Sequence, residues 1–285
     1  MRVTVVIATR NRPAELARSL SHLAALRPAP PTVVVDNASD EGVDWLYGHP
    51  CAPEVIRLQR NHGAQARTVG VRHARTPYVA FSDDDSWWAS GALGLASDAL
   101  DRHPGLGLVA GRVLIGPERV PDPVNLAMAQ SPLSGHGHLP GRPVLGCLAC
   151  GTVVRRTAYL GVGGFPGMFG VGGEETLLCY DLAAAGWAVR YVEQVAAHHY
   201  PATTRPPTWR RQALQRRNAA LVRWMRRPLP VALAGTWHLA RTAGRDRVAR
   251  AALAGLIRAL PAALADRCPL PVAVERQVRL LERAG

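Results

Sequence analysis

The sequence predicts an α/β domain built on a mixed, mainly parallel sheet flanked by helices, followed by a basic helical C-terminal tail. Three observations carry this. Short β-branched, apolar runs alternate with helix-period segments between residues 3 and 192. Polar clusters follow those runs directly, where open α/β sheets bind ligands. The net charge of +13 is confined to the end of the chain: residues 1–204 contain 17 Arg and 17 Asp plus Glu, residues 205–285 contain 17 Arg and 4 acids. The expected division is therefore a domain over 1–204 and an Arg-rich helical extension over 205–285.

Residues 3–8 form the first strand-like run, and Thr9-Arg10-Asn11-Arg12-Pro13 breaks it before a helix carrying Leu16, Leu20, Leu23 and Leu26, with Pro13 suited to its first turn. Residues 32–35 read as a second buried strand ending at Asp36-Asn37-Ala38-Ser39-Asp40, on the same rim as Thr9. A short strand at 55–58 leads through Asn61-His62-Gly63 to a helix that carries Arg67 and ends near Ala74. Residues 78–81 form a fourth strand and deliver Asp83-Asp84-Asp85 to that rim. Further on, 106–115 reads as a strand, 124–141 as a loop shaping a pocket, and 151–156 as a strand entering a helical turn. A helix from 176 to about 185, ended by Gly186, follows Glu174-Glu175, and a last strand at 188–192 precedes His198-His199.

The acidic triplet is the sharpest local feature. Three consecutive carboxylates cost free energy unless a cation or a donor-rich ligand neutralises them. A divalent metal carrying a diphosphate is one solution; a solvated acidic turn capping a helix that begins near Trp87 is the other. The five cysteines are odd in number and scattered, which fits reduced thiols. Cys147 and Cys150 have CxxC spacing without a second pair, so buried packing is expected over a zinc or redox role. No uninterrupted apolar run has the length of a membrane span, and residues 1–7 read as a strand instead of a signal peptide, so the expected location is cytoplasmic.

Taken together, the motifs resemble the family-2 glycosyltransferases, nucleotide-sugar-dependent enzymes of the GT-A fold. The resemblance spans roughly residues 3–225. It rests on Val-Ile-Ala-Thr-Arg-Asn-Arg-Pro at 6–13, Val-Val-Asp-Asn-Ala-Ser at 34–39, Asn61-x-Gly63 with Arg67, Asp83-Asp84-Asp85, Arg155-Arg156, Val162-Gly-Gly-Phe165, Glu174-Glu175 and His198-His199. It implies an inverting hexosyl or deoxyhexosyl transfer by metal-assisted single displacement. Asp85 would be the main ligand of manganese or magnesium, Asp83 and Asp84 would contact ribose or support the metal, and His198 or His199 would complete the site. Thr9, Arg10, Asn11, Asp36, Asn37 and Ser39 would surround base and ribose, with Asn61, Gly63 and Arg67 beside the nucleotide. Glu175 would be the general base that deprotonates the acceptor hydroxyl, with Glu174 as fallback. Departures from the family pattern are Asn37 for a second Asp, Glu-Glu for Glu-Asp, Leu177 for a frequent Asp and Asp181 for a usual Arg. The acceptor is left open between a glycan, a lipid-linked intermediate and a small molecule.

The tail pattern is helical and cationic from Arg205, broken at Pro228 and Pro230, and resumes over 248–260. It reads either as a peripheral element for an anionic membrane, on its cytoplasmic face, or as an appendage packed on the domain with a solvated Arg face; nucleic acid is disfavoured by the neutral first 204 residues. Residues 220–224 end like the Gln-x-x-Arg-Trp signature of processive synthases but lack the Gln, which argues for one sugar per encounter. Two other function classes compete: a nucleotidyltransferase, disfavoured because no Gly-rich loop follows the first strand, and a non-catalytic protein that binds membrane or nucleic acid through the basic tail.

Overall fold

The computed structural model describes residues 1–135, 137–201 and 208–284. The expected 204/205 boundary and the helical start at Arg205 lie outside the described residues. In chain order the elements are β1 (Val3–Thr9), α1 (Pro13–Ala25), β2 (Thr32–Asp36), β3 (Glu54–Arg57), α2 (Gln65–His73), β4 (Tyr78–Asp83), β5 (Ser86–Trp88), α3 (Ala92–Arg102), β6 (Leu106–Ile115), β7 (Val120–Pro121), α4 (Pro123–Ala129), β8 (Arg142–Pro143), β9 (Thr152–Arg155), α5 (Arg156–Gly161), α6 (Glu174–Ala184), β10 (Ala188–His199) and the tail helices α7 (Thr208–Arg226), α8 (Leu229–Ala243), α9 (Arg247–Ala265) and α10 (Val272–Ala284).

The strands make one sheet in the order β3-β2-β1-β4-β9-β6-β10-β5. β3, β2, β1 and β4 are mutually parallel. β9 is antiparallel to both β4 and β6, and the two reversals restore the first direction, so β6 and its parallel neighbour β10 run with β4. The carboxyl ends of β1, β2, β4 and β10 therefore meet on one rim. Register completes the placement: Thr9 lies beside Asp36, and Ala8 beside Asp83. Alternation along each strand feeds two cores, one per face. Val3, Val5 and Ile7 enter one with Tyr78 and Ala80; Val6 enters the other with Val79 and Phe81.

Several expectations are corrected. No helix begins near Trp87: Asp84 and Asp85 form a turn between β4 and β5, and the next helix starts at Ala92 behind Gly91 at φ +77°. The acidic turn is thus no helix cap. The 124–141 segment contains α4, capped by Asp122 through Val124 N. The last strand runs on to His199 because a register shift between Val192 and Ala196 absorbs Glu193, Gln194 and Val195 and pairing then resumes. α6 starts at Glu174, so both glutamates lie in its first turn. α8 and α10 were not foreseen. α9 is long and apolar enough to span a membrane by length and composition, with 28% of that window buried, despite the two arginines, Arg250 and Arg258, that break its run. All five cysteines are free, and Cys147 faces Cys179 at 3.6 Å, so the CxxC pair packs in the core.

The tail shares a core with the first domain: Phe169 and Leu177 pack with Leu221, Val222, Met225, Ala249, Ala252 and Leu256. The two unexplained departures in α6 face this junction. Leu177 is buried in it, and Asp181 accepts from both Nε and Nη2 of Arg226. Leu221→Ala, at a fully buried position, is expected to cost about 2–5 kcal/mol. Because the core is shared, the urea midpoint should shift equally by far-UV circular dichroism and by tryptophan fluorescence. Separate transitions would show that the tail folds independently.

Candidate active site

Two guanidiniums neutralise the acidic triplet. Arg12, just past β1, reaches Asp84 Oδ1 at 3.1 Å and Asp85 Oδ2 at 3.4 Å, and Arg67 of α2 pairs with Asp83. Asp84 points inward, accepting from Thr9 Oγ1 at 3.1 Å while its carbonyl accepts from Ser19 Oγ at 2.8 Å. Burial pushes its carboxyl up to about 6; Arg12 draws it back, and Asp85 and Asp83 push it further. Asp84 thus anchors the turn, Asp85 is buried beside it, and Asp83 is half-buried.

His199 Nε2 lies 3.3 Å from Asp85 Oδ1. One ligand atom from each of Asp83, Asp85 and His199 falls within 4.8 Å of the others. Strand alternation sends His198 the other way, onto Trp87 at 5.9 Å between ring centroids, where burial and then Arg119 and His22 lower its pKa. Of the histidine pair, His199 alone joins the acids.

On the other side of Arg67 lies the first turn of α6. Burial opposes the Arg67 charge, but Asp83, Glu174 and Glu175 together hold its pKa above the ordinary arginine value. Glu174 is 1% exposed and its Oε2 has no hydrogen-bond partner; burial and then repulsion from Glu175 push its carboxyl up to about 8. Glu175 is partly exposed. Its carboxyl is raised by burial, against Arg67, with Asp83 adding to the rise. Asp83, Asp85, His199 and Glu175 thus share one rim, linked through Arg67.

The nucleoside-side residues tie the loops after β1 and β2 together. Asn11 N donates to Ser39 Oγ at 3.0 Å, Asn11 Nδ2 to Asp40 Oδ2 at 2.8 Å, and Arg10 Nε to Ala38 O at 3.1 Å. Asn11 (φ +56°) and Ala38 (φ +63°) are non-glycine residues in the left-handed region, a strain that clusters at functional rims. Asp36 is fully buried; Oδ1 accepts from Ser39 N at 2.9 Å, whereas Oδ2 has no hydrogen bond, with Arg57 Nε 3.4 Å away. Asn37 is held by the next loop, donating to Gly63 O at 3.1 Å and accepting from His62 N at 2.7 Å, so its amide organises backbone. Asn61 caps the same loop through Gly63 N at 2.8 Å. Beside these residues a cavity of about 410 Å³ is lined by Thr9, Asn11, Arg12, Ser39, Val43 and Trp45. A larger cavity of about 520 Å³ lies at the opposite rim, by Gly105, Trp187 and Ala188, remote from the acids.

Sequence reasoning missed Arg12, although its place in the polar run after β1 marks it for this rim. It also missed what holds α6. Residues 167–173 carry Glu174 and Glu175 and are gripped from both sides. Ala64 N donates to Gly170 O at 2.6 Å, and a Cβ on Gly63 (φ +56°) would stand 2.5 Å from that oxygen. From α7, the fully buried Asn218 donates through Nδ2 to Phe169 O at 3.0 Å, Val171 O at 3.1 Å and also Gly172 O, and Arg217 Nη2 reaches Met168 O and Phe169 O. No sequence signal links residues so far apart. The motif arginines are structural: Arg155 donates to Leu100, His103 and Leu106 carbonyls, Arg156 to Val71 and Arg72.

Asn218→Ala strips the donor from these carbonyls and should cost about 1–3 kcal/mol in denaturant unfolding; an unchanged stability would show that the grip is idle. Glu174 gives a pH signature in the metal-free protein. Between 4.5 and about 8 the native state keeps a proton that the unfolded chain has released, so stability falls as pH rises through that window. Glu174→Gln should flatten the slope by up to ~1.4 kcal/mol per pH unit, measured by urea unfolding across the window. An identical slope in both proteins contradicts the raised carboxyl.

No curated protein matches the chain. Among solved structures, a mannosyltransferase from Pyrobaculum calidifontis, PcManGT in complex with GDP-Man and Mn2+, is similar at TM-score 0.60 and 20% identity over 99% of this chain and 86% of its own. S. aureus TarS 1-349 in complex with UDP-GlcNAc is similar at TM-score 0.59 and 17% identity over 78% of this chain and 66% of its own, and the match covers 39% of the longer TarS chain. GalNAc-T7 with UDP, GalNAc and Mn2+ is similar at TM-score 0.62 and 16% identity over 95% of this chain and 58% of its own. These likenesses establish the GT-A fold. Residues 4–161, more than half the sequence, match glycosyl transferase family 2, and the chain belongs to that family.

Proposed function

We propose that the protein transfers one sugar from a nucleoside-diphosphate sugar to an acceptor hydroxyl, with metal assistance and inversion at the anomeric carbon. The observation that carries the reading is the convergence of Asp83, Asp85 and His199 with the α6 glutamates around Arg67. Two carboxylates and an imidazole fit manganese or magnesium, and both PcManGT and GalNAc-T7 are described with Mn2+. When bound, the ion would supply positive charge against the departing diphosphate. Asp83, Asp85 and His199 would hold it, and the arginine pairing of Asp83 and Asp85 would give way in part.

The cavity beside Thr9, Asn11 and Ser39 suits a nucleoside in size and polarity. Asp36 Oδ2, buried without a hydrogen bond and ion-paired with Arg57, would accept from a base or ribose donor that displaces this contact. Glu175 takes the acceptor hydroxyl's proton on its carboxylate: it is more exposed than Glu174, and burial, opposed by Arg67, raises its pKa. Glu174 stays buried beside Arg67 and fixes the turn that presents Glu175.

A thermal-shift screen of UDP, dTDP and GDP with and without manganese should give one nucleotide whose stabilisation requires the metal. Asp85→Asn should remove the metal-dependent part. With the matching sugar donor, Glu175→Gln should lower kcat about 10²–10⁴-fold and leave nucleotide affinity unchanged. If no nucleotide stabilises the protein, or the Glu175 variant turns over normally, the reading fails.

A further inference from the structure

The tail helices α8 and α9 break the usual rule for surface helices. An exposed helix normally turns a charged face to water, and a helix apolar all round is normally buried or in lipid. α8 contains a single charged residue, Arg241, yet only Ala232 and Leu239 are buried. Leu229, Leu233 and Trp237, at successive i, i+4 spacings, are 49%, 55% and 65% exposed, a continuous apolar stripe that leads to Arg241. The partner helix α9 packs inward through Val248, Ala249, Ala252, Leu256 and Ala263, but still exposes Ile257 and Leu264.

The charges on the two helices are all positive. Arg241, Arg245, Arg247, Arg250 and Arg258 are exposed, and neither helix contains an acid. Asp246, between them, caps α9 through Val248 N at 2.7 Å and pairs with Arg216. Exposed Trp and Leu among arginines, with Asp246 engaged as a cap and Asp266 at the far end of α9, is the composition of an interfacial element on anionic lipid. Nucleic acid would use the arginines but leave the Leu229–Leu233–Trp237 stripe unused.

We propose that the exposed faces of α8 and α9 dock the protein on an anionic bilayer surface, with Leu229, Leu233 and Trp237 entering the headgroup region and the arginines meeting acidic lipid. This goes beyond the transfer reaction and does not depend on it. The full chain should cosediment with phosphatidylcholine vesicles containing phosphatidylglycerol and much less with pure phosphatidylcholine, and raised salt should weaken the binding. The double variant Leu233→Ser/Trp237→Ser replaces only exposed side chains; with circular dichroism and melting temperature unchanged, it should bind anionic vesicles roughly tenfold or more weakly. Arg241→Gln/Arg250→Gln should reduce the preference for anionic over neutral vesicles, and an unchanged preference would overturn the role given to the arginines. The proposal is overturned if wild type ignores anionic vesicles or if the double variant binds them fully. It is also overturned if size exclusion shows a dimer that the double variant breaks, or if a nucleic-acid duplex outcompetes the vesicles without need of Trp237.

Discussion

The arrangement depends on two guanidiniums set into a ring of carboxylates. Asp83, Asp84, Asp85, Glu174 and Glu175 on one rim would repel one another if left alone, and their burial would add to the cost. Arg12 holds Asp84 and Asp85, and Arg67 holds Asp83 while its field reaches both glutamates. These cations are covalently part of the fold, so the chain itself supplies the charge that offsets the carboxylates of the rim. In the proposed function a divalent cation would compete with arginine for Asp83 and Asp85 rather than order loose chain.

The second half of the site is held from the tail. The turn before α6 lies between Gly63 and Ala64 on one side and Arg217 and Asn218 on the other. Two departures from the family pattern have their physical reason here: Leu177 is apolar because it faces the tail's core, and Asp181 is acidic because it meets Arg226. These residues report what covers α6 and need no change in chemistry. The same tail that holds the turn before Glu174 and Glu175 carries the Arg-rich apolar surface, so packing on the domain and facing outward are two sides of one bundle.

Much of the site was legible because parallel strands end in polar runs. Thr9, Asp36 and Asp83 each follow an apolar, β-branched stretch, and register alone brings them together. The parity of His198 and His199 was not legible: the irregularity between Val192 and Ala196 resets the alternation, and no local signal places it. Ser86-Trp87-Trp88 misled for a related reason. Ser after Asp is good capping chemistry, but pairing of Trp87 with His198 on β10 overrides that preference. Asn218 and Arg217 could not be read at all, because an Asn and an Arg within a basic helix carry no mark of the carbonyls they meet.

The most direct test of the account is the nitrogen coupling on bound manganese. In the complex with Mn2+ and the preferred nucleoside diphosphate, pulsed electron paramagnetic resonance should show an imidazole 14N coupling that His199→Ala abolishes and His198→Ala retains. A coupling that survives in His199→Ala, or one that disappears only with His198, would contradict the assembly of Asp83, Asp85 and His199 as the metal-holding rim.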